Sequence, residues 1–137
     1  MENEISEECL RSAAEWWAKV LTNAKMDNGD NSMSGGIAAA MALSLRNPVN
    51  ESQVETFISE FIKFYGDKAK EFRGSRIFIT CDYGPDMNLL KIMNIARISG
   101  HNAPWKTDMS IKDNIVKVSY GYCAEWVQVY PIEQPQT

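Results

Sequence analysis

From Val54 to Phe72 the residues Val54, Phe57, Ile58, Phe61, Ile62, Tyr65, Ala69 and Phe72 recur at spacings of three and four, an almost unbroken apolar stripe. Such spacing brings side chains onto one face only in a helix of about 3.6 residues per turn. Asn50 is placed to cap this helix, and Glu55, Glu60, Lys63, Asp67, Lys70 and Glu71 fall on the opposite, solvated face. An aromatic stripe of this length has to be covered, so the rest of the chain must supply a second layer.

The segments on either side show what that layer is. Ser6 followed by Glu7 and Glu8 reads as a helix start, and Leu10, Ala13, Trp17, Val20, Leu21 and Ala24 continue it over residues 6–25. The adjacent Trp16 and Trp17 project about 100° apart on the wheel and are both read as packing residues. Residues 26–32 carry turn chemistry. A second helix, capped by Ser32 or Ser34, is expected over 35–46 and stops at Asn47-Pro48. After Arg73-Gly-Ser the pattern becomes β-rich: Ile77 to Cys81 predicts a buried strand over 76–82, ended by Tyr83-Gly-Pro. Asp86 opens another helix that runs to Ser99-Gly100. Residues 106–111 and 115–121 predict a hairpin joined at Lys112-Asp113-Asn114, and Trp126, Gln128 and Tyr130 suggest one more strand. The expected fold class is α+β, with three N-terminal helices packed on a small mixed sheet of order β-α-β-β(-β).

The chain has 137 residues, 45% of them apolar, which fits one α+β domain over 1–130 followed by a disordered tail over 131–137. A domain of this size needs no disulfide or structural metal to fold. Cys9, Cys81 and Cys123 are odd in number and widely spaced, as expected of reduced thiols, and no cofactor is expected. The acidic start, Met1-Glu-Asn-Glu, is unlike a secretory signal, and the uncharged run from Asn31 to Leu45 is too short and polar to span a bilayer. A cytoplasmic location without membrane contact is therefore expected. The net charge of −4 arises within residues 1–30, where seven acids face three bases; the remaining eleven acids and eleven bases cancel. General nucleic-acid binding, which needs a basic face, is not expected.

Five segments carry candidate chemistry. Cys81, Asp82, Tyr83, Gly84 and Asp86 are expected to line a crevice where a strand ends and a helix begins. There Cys81 is a candidate nucleophile with Asp82 and His101 as its catalytic partners. Cys81 and His101 flank opposite ends of a helix about 20 Å long, which separates them, and a single histidine excludes H-E-x-x-H zinc chemistry. Asp27 to Ser34 is rich in oxygen ligands, but an EF-hand begun at Asp27 finds Ala38 where its glutamate belongs. Ser34-Gly35-Gly36 could face a phosphate, yet it lacks the lysine of a P-loop. The basic cluster Lys63, Lys68, Lys70, Arg73 and Arg76 is interrupted by Asp67 and Glu71 and reads as a solvated helix end. The last third carries Trp105, Tyr120, Tyr122, Trp126 and Tyr130 among charged residues; half of these rings are expected to pack and half to be exposed. The candidate binding residues are Tyr83, Trp105, Lys106, Tyr120, Tyr122 and Trp126.

The strings Asp82-Tyr-Gly-Pro-Asp86, Pro104-Trp-Lys-Thr107 and Ser119-Tyr-Gly-Tyr122 with Trp126 resemble small uncharacterised proteins carried by bacterial prophages and other mobile elements. The resemblance is confined to the chain from Asp82 onward and assigns no activity or functional residue. It implies a protein that binds a host factor, counter-defence inhibitors being one such group. Three functions are therefore open: an inhibitor binding a bacterial protein or a small nucleotide, a small hydrolase or transferase using Cys81, and a self-associating homo-oligomeric accessory protein.

Overall fold

The computed structural model of the chain describes residues 5–22, 49–71, 76–121 and 123–131. The first helix, α1, spans Glu7–Thr22. Its start is fixed by Ser6, whose Oγ accepts the Cys9 N–H at 3.1 Å, as the side-chain pattern predicts. The Ser6 N–H in turn donates to Asn114 Oδ1 at 2.7 Å, tying the start of the helix to a turn of the sheet. One face of α1, including Leu10, Ala13, Ala14, Trp17 and Leu21, is buried.

The long stripe forms α2, Glu51–Glu71. Asn50 and Gln53 build a reciprocal capping box: the Gln53 N–H donates to Asn50 Oδ1 at 2.8 Å and the Asn50 N–H donates to Gln53 Oε1 at 2.9 Å. Phe57, Phe61 and Tyr65 are the fully buried members, stacked along the helix with ring centroids 5.8 and 4.7 Å apart. Val54, Ile58, Ile62 and Ala69 flank them, partly buried. Gly66 faces Leu10 of α1, which lies within van der Waals reach of any β-carbon placed there, so the two helices pack closely at this point.

The sheet contains β1 (Ile77–Asp82), β2 (Lys106–Lys112), β3 (Ile115–Tyr120) and β4 (Val127–Tyr130), in spatial order β1-β2-β3-β4. All three pairings are antiparallel, so the expected mixed sheet is corrected to an antiparallel one. The reason lies in the β1–β2 connection. It leaves β1 at Asp82 and re-enters β2 at Lys106, which are register partners, and the Tyr83 N–H closes the loop by donating to the Trp105 carbonyl at 2.6 Å. A parallel pair would have required a crossover returning to the opposite end. Helix α3 (Met87–Ile95) lies inside this connection, so the helices do not all precede the sheet. The helix expected over 35–46, with the calcium and phosphate readings near it, lies outside the described residues, as do residues 132–137 of the expected tail.

The hairpin turn matches its sequence signal. Asp113 and Asn114 both have positive φ, 54° and 60°, as a two-residue type I′ turn demands, and Asp and Asn tolerate that conformation. Other boundaries shift. Helix α3 stops at Ile95 rather than at Ser99, because Arg97 turns left-handed (φ 63°) and the Ile98 N–H reaches back to the Met93 carbonyl at 2.8 Å. Ser99 instead caps a short 3₁₀ turn, Gly100–Asn102. The last strand begins at Val127 rather than Trp126, and a bulge interrupts its pairing with β3 at Val116/Lys117.

Helices and sheet enclose one core. Its largest fully buried side chains are Trp17, Tyr65, Phe57 and Phe61, and Ile79, Cys81, Met109, Ile111, Val116 and Val118 cover them from the sheet. Among the described residues no helix is long and apolar enough to cross a membrane.

Candidate functional site

The pleat of β1 decides what the sheet offers to solvent. Ile77, Ile79 and Cys81 point inward, so Phe78, Thr80 and Asp82 must point outward. The expected buried strand is thus buried on its inward face only, and Phe78 is 53% exposed. Its neighbour in space is Trp126, with ring centroids 6.3 Å apart, although β1 and β4 are opposite edges of the sheet. The segment after β3 makes this contact by folding over the outer face. Gly121 turns it with φ 108°, a conformation open to glycine, and Ser119 Oγ holds it by donating to the Ala124 carbonyl at 2.9 Å.

A second ring pair sits where β1 ends and β2 begins. Tyr83 and Trp105 have centroids 6.4 Å apart and are 74% and 57% exposed. Backbone bonds help position them: Tyr83 takes φ 67°, the Asp82 N–H donates to the Gly84 carbonyl and the Tyr83 N–H to the Trp105 carbonyl. Asp86 anchors this turn. Its Oδ1 accepts the Leu89 N–H at 2.7 Å, capping α3, and its Oδ2 accepts the Thr80 N–H of β1 at 3.0 Å. Phe78 and Tyr83 are five residues apart, or about 16 Å along an extended strand. Between the pairs lies a polar strip in which Thr80 Oγ1 donates to Asp108 Oδ1 at 2.6 Å and Lys106 Nζ approaches Asp108 Oδ2 at 3.8 Å.

The remaining candidates from the sequence are placed as follows. Lys106 belongs to the polar strip. Trp126 is 47% exposed. Tyr120 lies on the helix-facing side of β3, half-buried, with its ring 6.0 Å from Trp16. Tyr122 is outside the described residues. Among the described residues, five exposed large apolar side chains were not among the sequence candidates: Phe78, Met87, Ile95, Ile115 and Val127. For Phe78 the signal was present, since Thr80 and Asp82 share its parity and neither suits an interior.

The cysteine candidate sits differently. Cys81 is fully buried, and burial, reinforced by the nearby Asp86 and Asp108 carboxylates, pushes its thiol up to about 12. Asp82 projects from the opposite face of the strand, and His101 is exposed on the 3₁₀ turn beyond α3. Cys9 is likewise buried, its thiol raised to about 11 by burial, whereas Cys123 is exposed. Near pH 8 fewer than about one in a thousand of either buried thiol is ionised. In the folded protein, a thiol-specific reagent is therefore expected to label Cys123 promptly and Cys9 and Cys81 at least tenfold more slowly, the difference vanishing in urea. Rapid labelling of Cys81 in the folded state would restore it as a nucleophile.

Among the described residues no cluster of histidine, cysteine and acidic side chains could hold a metal ion. Compared with known proteins, the chain matches no family model and no curated protein, and the surface itself carries the functional reading.

Proposed function

We propose that this is a small cytoplasmic binding protein that docks on a bacterial protein through the two aromatic pairs, Phe78–Trp126 and Tyr83–Trp105. The observation that carries this reading is the exposure of four large rings: Phe78 on β1, Tyr83 and Trp105 at the turn between β1 and β2, and Trp126 just before β4. Such rings bury a large area at little entropic cost when a partner covers them, and aromatic residues dominate the energetics of protein interfaces. Their separation of about 16 Å suits a protein footprint of about 800 Å², which covers both pairs, better than a single nucleotide, which covers one. The polar strip between them supplies directional contacts. The resemblance to mobile-element proteins supports the narrower reading that the partner belongs to a bacterial defence system and is inhibited by being bound.

The test compares the protein with Trp105→Ala and Trp126→Ala as bait in a bacterial lysate. The same partner should be captured by the parent and recovered at least about tenfold less by each variant, as interface hot spots require. Urea midpoints should stay nearly unchanged. Capture that survives both substitutions would reject the surface, and loss of folding in both would return the rings to a structural role. A particle mass twice that of the chain, abolished by the same substitutions, would assign the surface to self-association.

A further inference from the structure

The outer face of the sheet carries its charges in an uneven order. Register pairs Phe78 with Ser110, Ser110 with Lys117 and Lys117 with Gln128, so these residues form one row across the sheet. The next row toward the hairpin turn holds Lys112 opposite Ile115. Ile77 pairs with Ile111, which puts the exposed Arg76, one residue earlier, at the level of Lys112. The alternating burial of β2 and β3 turns Ser110, Lys112 and Lys117 away from the helices. Arg76, Lys112 and Lys117 thus surround Phe78 with no acid in either row. The rows toward the other end hold Thr80 with Asp108, and Asp82 with Lys106.

At that second end the charges meet one another, since Lys106 Nζ lies 3.8 Å from Asp108 Oδ2. At the Phe78 end they do not. Lys117 is exposed, and neither it nor Arg76 forms an ion pair among the described residues. The acids flanking this end, Asp113 in the hairpin turn and Glu125 beside Trp126, are exposed and pair with neither. Strands about 4.8 Å apart set the Lys117 backbone about 10 Å from that of Phe78. Unpaired positive charge beside exposed rings, on a chain whose net charge is −4, is the reverse of the molecule as a whole.

We infer that the segment of the partner lying on the Phe78–Trp126 end of the sheet is an acidic peptide, whose aspartate or glutamate carboxylates meet Lys117 and Arg76 while its apolar side chains cover the two rings. The inference rests on the docking surface proposed above and names the chemistry of what covers it. Complementary charge of this kind steers encounter and selects among partners. A nucleic acid fits the same end less well. So few cations neutralise few phosphates, and the acids of the other end and the overall negative charge repel the rest of a polyanion.

Titration with an acetylated hexapeptide of alternating glutamate and leucine, followed through amide chemical shifts, tests this. The peptide should shift the Phe78, Ser110 and Lys117 amides, bind at least about tenfold more tightly than its lysine–leucine counterpart, and weaken as salt is raised. Lys117→Glu and Arg76→Glu should each lower its affinity at least about fivefold, whereas Lys63→Glu, on the helical layer, should not. Equal binding of the two peptides, tighter binding of a short oligothymidine, or indifference to both reversals overturns the inference. Capture of the lysate partner separates this failure from that of the surface itself. Capture lost in Trp126→Ala and unchanged in both reversals keeps the surface and rejects the acidic segment; capture unchanged in all three rejects the surface and the inference with it.

Discussion

Trp17→Ala is expected to destabilise the fold by about 3–5 kcal/mol in urea titrations, the usual range for deleting a buried aromatic. Trp17 is fully buried, donates its indole Nε1–H to Met109 Sδ at 3.1 Å and receives Trp16 edge-on at 5.2 Å. It is the side chain through which α1 reaches the centre of the sheet. A small domain has about 5–15 kcal/mol of stability in all, so this one truncation removes a large part. The neighbouring Trp16 is the internal control. It is half-buried at the edge of the core against Tyr120, and Trp16→Ala should cost only about 1–2 kcal/mol. Equal losses at the two positions would show that the helix is rotated from the orientation described.

Asp86→Ala should cost about 2–4 kcal/mol, from the lost helix cap together with a lost charge-assisted bond to the strand amide. The substitution strands the Leu89 and Thr80 N–H groups together. Asp86→Asn separates the two contributions. Its Oδ1 can still cap Leu89, but its amide nitrogen then meets the Thr80 N–H donor to donor, so the cap survives and the strand contact does not. Urea titration gives the total loss, and faster hydrogen exchange at the Thr80 amide in both variants identifies the strand contribution. Because the same turn carries Tyr83, each variant should also loosen the Tyr83–Trp105 pair. Unchanged exchange at Thr80 in Asp86→Ala would show that the turn is held by its backbone bonds alone.

Most of the local structure was legible because its signals lie within a few residues. The Asn50 cap, the Ser6 cap and the Asp113-Asn114 turn are contacts across one to three residues, and each stands where the sequence places it. The end of α3 was not legible. A left-handed terminus normally announces itself as glycine, and here Arg97 adopts it, with the Gln53 Nε2–H donating to its carbonyl at 2.6 Å. Strand direction was not legible either. A helix between two strands is the usual signature of a parallel crossover, and only the pairing of Asp82 with Lys106 shows that this connection returns to the end it left.

The candidate surface divides in the same way. Tyr83, Trp105 and Trp126 stand out by composition, and Phe78 by parity, but composition does not say which rings meet. Tyr120, of the same chemical kind, turns to the helices because β3 places it in phase with Val116 and Val118.

By itself the sequence determined where the described helices and strands lie and how α1, α2 and α3 begin, because periodicity, caps and turn residues act over short range. Tertiary structure alone decided that the sheet is antiparallel and that Phe78 meets Trp126 across the width of the sheet. Those outcomes depend on residues far apart in the chain competing for the same space, a competition that local spacing does not encode.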